Sequence, residues 1–198
     1  YTGNGFLINF IGKDYYAYST PLYPFFCAGV YKLIGHNQSA VILLQIIISS
    51  LSCLVIYLIA KNIFGRRMAI FSSILVIFHP GLIIYSSLKL HALTLDTFFI
   101  TLTIFCLMAA FEKLTFLNVS ICGIILGLCA LTRSTIIPFL LVGTIWLFWA
   151  RKGNIKEILK YSSILIICTI TIIGIWSFRN FLVFKRLIPL TTVSAEVF

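Results

Sequence analysis

Lys89, His91 and Asp96 fall within the stretch LKLHALTLD, residues 88–96, of a chain that is otherwise strongly apolar. Ionisable side chains are expensive inside an apolar run, and three of them this close favour a functional site over an accident of composition. On one continuous helix, Lys89 and Asp96 share a face two turns apart. If the helix begins near Ala92 instead, Lys89 and His91 cap its entrance and Asp96 lies one turn in. The structural alternative is a snorkelling lysine and an ion-paired aspartate that only hold the turn together.

Other cations occupy comparable places. Arg133, in GLCALTRST, separates the apolar runs 116–132 and 136–150. Both runs are short for a crossing, which draws their turn towards the bundle interior, where an arginine needs a carboxylate or a phosphate. Arg179 and Asn180 end the last apolar run, in IWSFRNFLVFKRLIPLTT, with Lys185 and Arg186 following. Interface anchoring beside Trp176 is the alternative to ligand binding there. Only Asp14, Asp96 and Glu196 could neutralise this set from the same side, so a phosphate-bearing ligand would resolve the imbalance. His79 in HPG stands mid-run with no ionisable neighbour, which favours a structural hydrogen bond at a bend made by Pro80.

These groups need elements to position them. With 61% hydrophobic and 10% charged residues, and a mean hydropathy of +1.09, the chain belongs in a bilayer. A helix crosses the hydrocarbon in about 20 residues. Spans are expected at 39–60, 68–88, 92–111, 116–132, 136–150 and 161–178. The segment 21–35, PLYPFFCAGVYKLIG, is too short and aromatic to cross and should lie at the interface. The expected fold is therefore an all-α, polytopic membrane protein of about six transmembrane helices, with an interfacial helix after an outer loop. In that loop, residues 1–24, the tyrosines either anchor at the headgroups or form part of an acceptor site with Asp14.

Alternating the spans puts loops 61–67, 112–115 and 151–160 on one side, carrying a dense set of lysines and arginines. That side is expected to be cytoplasmic, and the turns bearing Lys89, Arg133 and Arg179 then face outward. The net charge of +10 punctuates apolar runs, which suits loops against anionic lipid headgroups and argues against nucleic acid as a partner. The six cysteines lie almost entirely in apolar runs without metal-ligand spacing and read as small buried hydrophobes. No cluster of acids typical of a magnesium site is visible, so a divalent metal is an open but unsupported alternative, and no cofactor is expected to be required where arginine and lysine supply the positive charge.

The ordered set YTGNGF, PLYPFF, LLQ…YLIAKNIFGRR, HPGLIIYSS…LTLDTFF, GLCALTRST and RNFLVFKRLIPLTT resembles the membrane core of polyprenyl-phosphate-sugar-dependent GT-C type glycosyltransferases. This group includes the protein mannosyltransferases and the bacterial aminoarabinose transferases and their relatives. The resemblance runs over nearly the whole chain. It implies an integral protein of a bacterial inner (plasma) membrane that passes a sugar from a polyprenyl-phosphate donor to an acceptor hydroxyl on a glycan, lipid or protein, with the active site on the periplasmic face.

Carried over by position, Lys89, His91, Arg133, Arg179 and Asn180 line the cavity for the donor phosphate, with Asp96, Tyr23 and Lys185 in support. The family's usual catalytic acid lies in the first outer loop, upstream of GNGF. Residues 1–198 therefore read as a partial domain lacking the N-terminal span and a C-terminal part, able to hold the donor but inactive alone; Asp14 and Asp96 are the weak candidates for that acid. Thr20, Ser134 and Lys185 depart from the family pattern, standing where a proline, a proline and a glycine are common. The competing reading is a transporter or flippase for a lipid-linked or anionic solute. It calls for inverted repeats with matching broken spans, and the break at His79–Gly81 has no counterpart.

Overall fold

A computed structural model describes residues 7–10, 13–16, 19–150, 155–186 and 188–191, with side chains from residue 19 onward except 147–150. Expectations placed on YTGNGF, the Asp14 side chain, Arg151, Lys152 and Glu196 fall outside the described residues. The chain opens on a short antiparallel hairpin, β1 (Leu7–Phe10) and β2 (Lys13–Tyr16), the one departure from an all-helical fold among the described residues.

The helices are α1 (Leu22–Ile34), α2 (Gln38–Phe64), α3 (Arg66–Ile77), α4 (Pro80–Ser87), α5 (Leu93–Glu112), α6 (Phe116–Thr132), α7 (Pro138–Ala150) and α8 (Ile155–Phe184). The chain is a helical membrane protein. Three of these helices, α2, α5 and α8, are long and apolar enough to cross on their own, and the bent pair α3 and α4 makes a fourth if counted as one span. The remaining expected crossings, α6 and α7, are apolar but shorter, at 17 and 13 residues. Helix α1 is short and apolar, as the interfacial expectation requires.

The bend between α3 and α4 is 54° and falls at Phe78–His79. Pro80 opens α4, where its missing N–H costs nothing, and His79 caps that helix by accepting the Leu82 N–H at Nδ1, 3.3 Å away. His79 is thus a hinge residue with a structural bond, as expected from its isolation. Gly65, at φ 82°, lets α2 turn directly into α3, a left-handed conformation that other residues resist.

Helix α2 packs between the α3–α4 pair and α5; α5 meets α6, and α6 meets α8, with α7 against α8. The tightest seam is α6 on α8. A Cβ on Gly123 would lie 2.7 Å from Cys168 Cβ, and one on Gly127 would lie 2.7 Å from Ile172 Cβ. The spacing GIILG therefore forms a small-residue seam that lets the backbones approach. Thr169 Oγ1 donates across it to the Gly123 carbonyl at 3.1 Å. Large side chains such as Leu54, Phe71, Leu75, Leu141, Ile167 and Ile175 point outward, as on a surface whose solvent is hydrocarbon.

Candidate functional site

Helix α5 begins at Leu93, with Ala92 as its cap residue, so the second of the two sequence alternatives holds: Lys89 and His91 lie in the approach and Asp96 in the first turn. A carboxylate is favoured there by the unpaired N–H groups at a helix start. His91 Nδ1 accepts the Leu93 N–H at 3.0 Å and supplies the cap that Ala92 lacks. In the neutral ring this leaves the proton on Nε2, ready to be donated. Tyr85, at the end of α4, underlies both residues: the His91 ring lies 4.9 Å from its ring and Lys89 Nζ 5.3 Å from its centroid.

Asp96 is buried, with Oδ2 3.8 Å from Arg133 Nη1, while Oδ1 has no hydrogen-bond partner among the described residues. At that distance the pair attracts without the geometry of a hydrogen bond. The Arg133 side chain stays 56% exposed. Asp96 therefore holds Arg133 in place without using up its donors.

Arg133 owes its position to the end of α6. The helix stops at Thr132, Arg133 is extended (φ −151°, ψ 115°), and a single 3-10 turn, Ser134–Ile136, leads to Pro138 at the start of α7. Thr20 Oγ1 donates to the Thr132 carbonyl at 2.6 Å and pins the entrance of α1 against this turn. A proline at position 20 could not make that bond, so this departure from the family pattern has a structural use.

Arg179 and Asn180 form a second group at the same end. Helix α8 extends past 178, where the sequence suggested it would stop, and carries both residues in its last turns. Three side chains fasten the returning segment 188–190 to the helix. Trp176 Nε1 donates to the Leu190 carbonyl at 2.8 Å, Ser177 Oγ to Pro189 at 2.8 Å, and Asn180 Nδ2 to Ile188 at 3.1 Å. Asn180 is fully buried, and its Oδ1 accepts from Arg179 Nη1 at 3.1 Å. It therefore acts on the arginine rather than facing open space. The Arg179 guanidinium also lies 4.9 Å from the Trp176 ring. Leu131, Trp176 and Leu190, with Leu22 against them, join this group to the Arg133 turn.

The supporting residues lie at the margins. Tyr23, on α1, has a buried hydroxyl that comes near Cys27 without hydrogen-bond geometry, and burial pushes its phenol well above the ordinary value, so it stays protonated. Lys185 follows α8 at φ 55°, a left-handed conformation in which glycine is at ease; its N–H closes the helix on the Phe181 carbonyl at 2.9 Å. That is the physical sense of the glycine common at this position in the family the sequence resembles.

Residues that no sequence argument singled out complete the site. Gln45, Tyr85 and Thr132 hold the two turns, and Gln45 is fully buried within apolar α2. Its one visible signal was a lone amide in a long apolar run. Two apolar hollows border the cationic end. One, of about 240 Å³, lies between α6, α7 and α8 beneath the Arg133 turn and is lined by Leu126, Ala130, Ile136, Ile137, Leu140 and Ile173. The other, of about 340 Å³, lies beside α1 and is lined by Leu22, Phe25, Phe26, Leu95, Phe98 and Phe99.

Comparison with known proteins adds one match. No curated protein and no solved structure matches the chain. The dolichyl-phosphate-mannose-protein mannosyltransferase family matches residues 18–177, a stretch that contains Lys89, His91, Asp96 and Arg133 and ends before Arg179. The chain therefore belongs to the dolichyl-phosphate-mannose-protein mannosyltransferase family and is a membrane glycosyltransferase of the GT-C type.

Proposed function

We propose that this chain holds the donor in an enzyme that moves a sugar from a polyprenyl-phosphate carrier to an acceptor hydroxyl on the outer face of the membrane. The observation that carries the reading is the Asp96–Arg133 arrangement: one buried carboxylate steadies a half-exposed guanidinium and also interacts electrostatically with His91, whose turn carries Lys89. Such a cluster is short of anions and fits a phosphate. The acceptor oxygen attacks the anomeric carbon, the bond from that carbon to the phosphate oxygen breaks, and negative charge grows on the departing phosphate. Arg133, with Lys89 and His91 Nε2, would stabilise that charge, and Arg179 would extend the cationic rim.

In this reading the guanidinium and ammonium groups suffice, with no metal required. The acceptor proton is assigned to an acid of the first outer loop, with Asp14 and Asp96 as the alternatives within this chain. The apolar hollows beside α1 and beneath Arg133 suit the first isoprene units of the carrier. The density of lysine and arginine in loops 61–67, 112–115 and 151–160 supports an extracytoplasmic site in a plasma membrane.

The test uses the full-length protein in liposomes with a polyprenyl-phosphate sugar. Arg133→Ala should lower kcat/KM by about 10²- to 10³-fold, the usual loss for one donor to a developing oxyanion. Unchanged transfer and donor affinity in both Arg133→Ala and Lys89→Ala would remove these residues from the mechanism.

A further inference from the structure

Gln45 lies near the N-terminal end of α2, in the run LLQII, and is fully buried. Its Nε2 is within 3.4 Å of the Tyr85 carbonyl, 3.4 Å of the Lys89 carbonyl and 3.2 Å of the His91 carbonyl. These acceptors belong to the last turn of α4, to the turn itself and to the approach of α5. Each lies where the chain leaves a helix or has not yet entered one, so its oxygen lacks a partner along the chain. Irregular backbone at membrane depth is tolerated only where protein satisfies it. Thr94 Oγ1 helps at one of the three, donating to the Tyr85 carbonyl at 3.3 Å.

The other half of the amide does nothing comparable. Gln45 Oε1 is buried with no hydrogen-bond partner among the described residues. An orphaned acceptor in an apolar helix is a net cost, and a leucine or methionine would fill the same space without it. Packing therefore does not account for the residue, whereas the work of its nitrogen does.

We infer that Gln45 is the positioning residue of the Lys89–His91 turn, fixing from α2 where the anion-facing side chains of that turn stand. It touches no reacting atom. Its two N–H bonds are shared among the three carbonyls, with Thr94 Oγ1 assisting at Tyr85, and in this way it sets the direction in which the Lys89 and His91 side chains leave the backbone and keeps their shared aromatic platform in register. The consequence for catalysis rests on the reading of this turn as the donor's phosphate site; the consequence for the turn itself does not.

Two variants of the full-length enzyme separate these levels. Gln45→Met keeps the unbranched shape and Gln45→Leu a similar volume, and both lose the donor. In both, hydrogen exchange of the amides at 88–93 should quicken at least tenfold while the rest of α2 and α5 stays protected. Donor KM should rise about tenfold with acceptor KM unchanged. Unaltered exchange at 88–93 would overturn the inference, whatever the enzyme's activity. Failure of both variants to give a folded bundle would overturn it as well, since a residue that only sets this turn is not needed for α2, α4 and α5 to associate. Faster exchange in an enzyme whose wild type transfers sugar but whose donor KM does not move would also refute the positioning role. If the wild type transfers no sugar from any polyprenyl-phosphate carrier, the donor reading falls, and the exchange result alone decides for or against Gln45.

Discussion

Gly127→Ala tests whether the site depends on the seam beneath it. A Cβ at this position would stand 2.7 Å from Ile172 Cβ, 3.1 Å from Ile172 Cγ2 and 3.1 Å from the Thr169 carbonyl oxygen. Carbon atoms sit comfortably at about 3.5–4.0 Å, so the shortfall is about 1 Å. Ile172 Cβ is fixed to its own backbone and cannot rotate away, so α6 and α8 must part. Overpacking of this kind costs about 1–3 kcal/mol. The parting also stretches the Thr169–Gly123 bond, now 3.1 Å, beyond useful length.

The control sits on α8. A Cβ at Gly174 would meet nothing within 4 Å, so Gly174→Ala should stabilise by about 0.5–1 kcal/mol through backbone entropy alone. Denaturation of both variants in detergent should move the midpoints in opposite directions. Because Arg133 follows from the end of the displaced helix, Gly127→Ala should also lower kcat/KM, by up to about 10²-fold for a 1 Å misplacement. A Gly127→Ala protein as stable as the Gly174→Ala protein would refute the close-approach argument.

Two further outcomes follow from the geometry of the cationic end. Arg133→Ala leaves the buried Asp96 without its cation, whereas Asp96→Asn leaves a guanidinium that is half in water. The first should destabilise more, by roughly 1 kcal/mol after discounting for exposure, with most of the difference recovered in the double variant; the reverse order in denaturation midpoints would contradict it. Lys185→Gly should relieve the left-handed backbone at φ 55° by about 1 kcal/mol and raise Tm by about 2–4 °C, while donor KM rises if the ammonium assists the phosphate.

The helices were legible because apolar length and proline placement are local signals. The bend at His79–Pro80, the brevity of α1 and the turn at 88–92 all follow from rules that act within a few residues. The site was legible only in its charges. Lys89, His91, Asp96 and Arg133 stand out in an apolar chain because each must be held there against a cost. Their supports are quieter. Thr20 reaches Thr132 across most of the sequence, and Gln45 meets Tyr85, Lys89 and His91 from another helix. No periodicity encodes such pairings. The close approach at Gly123 and Gly127 depends on α8, a partner that the local sequence does not name. Asn180, read from the sequence as a ligand contact beside an arginine, also has a structural bond in the fold, from Nδ2 to the Ile188 carbonyl.

The length of α8 bears on where the reaction meets the membrane. Its 30 residues span about 45 Å, against a hydrocarbon layer of about 30 Å. Lys160 near one end and Arg179 near the other are separated by about 28 Å of helix, a spacing close to the hydrocarbon thickness that would set the two cations at the two headgroup levels. On the proposed donor reading, a lipid phosphate would stand level with Arg179. In that case a carrier lipid drifting in the plane of the membrane would arrive at Arg179 without being lifted out or drawn in, and the proposed enzyme would only have to sort it from its neighbours sideways.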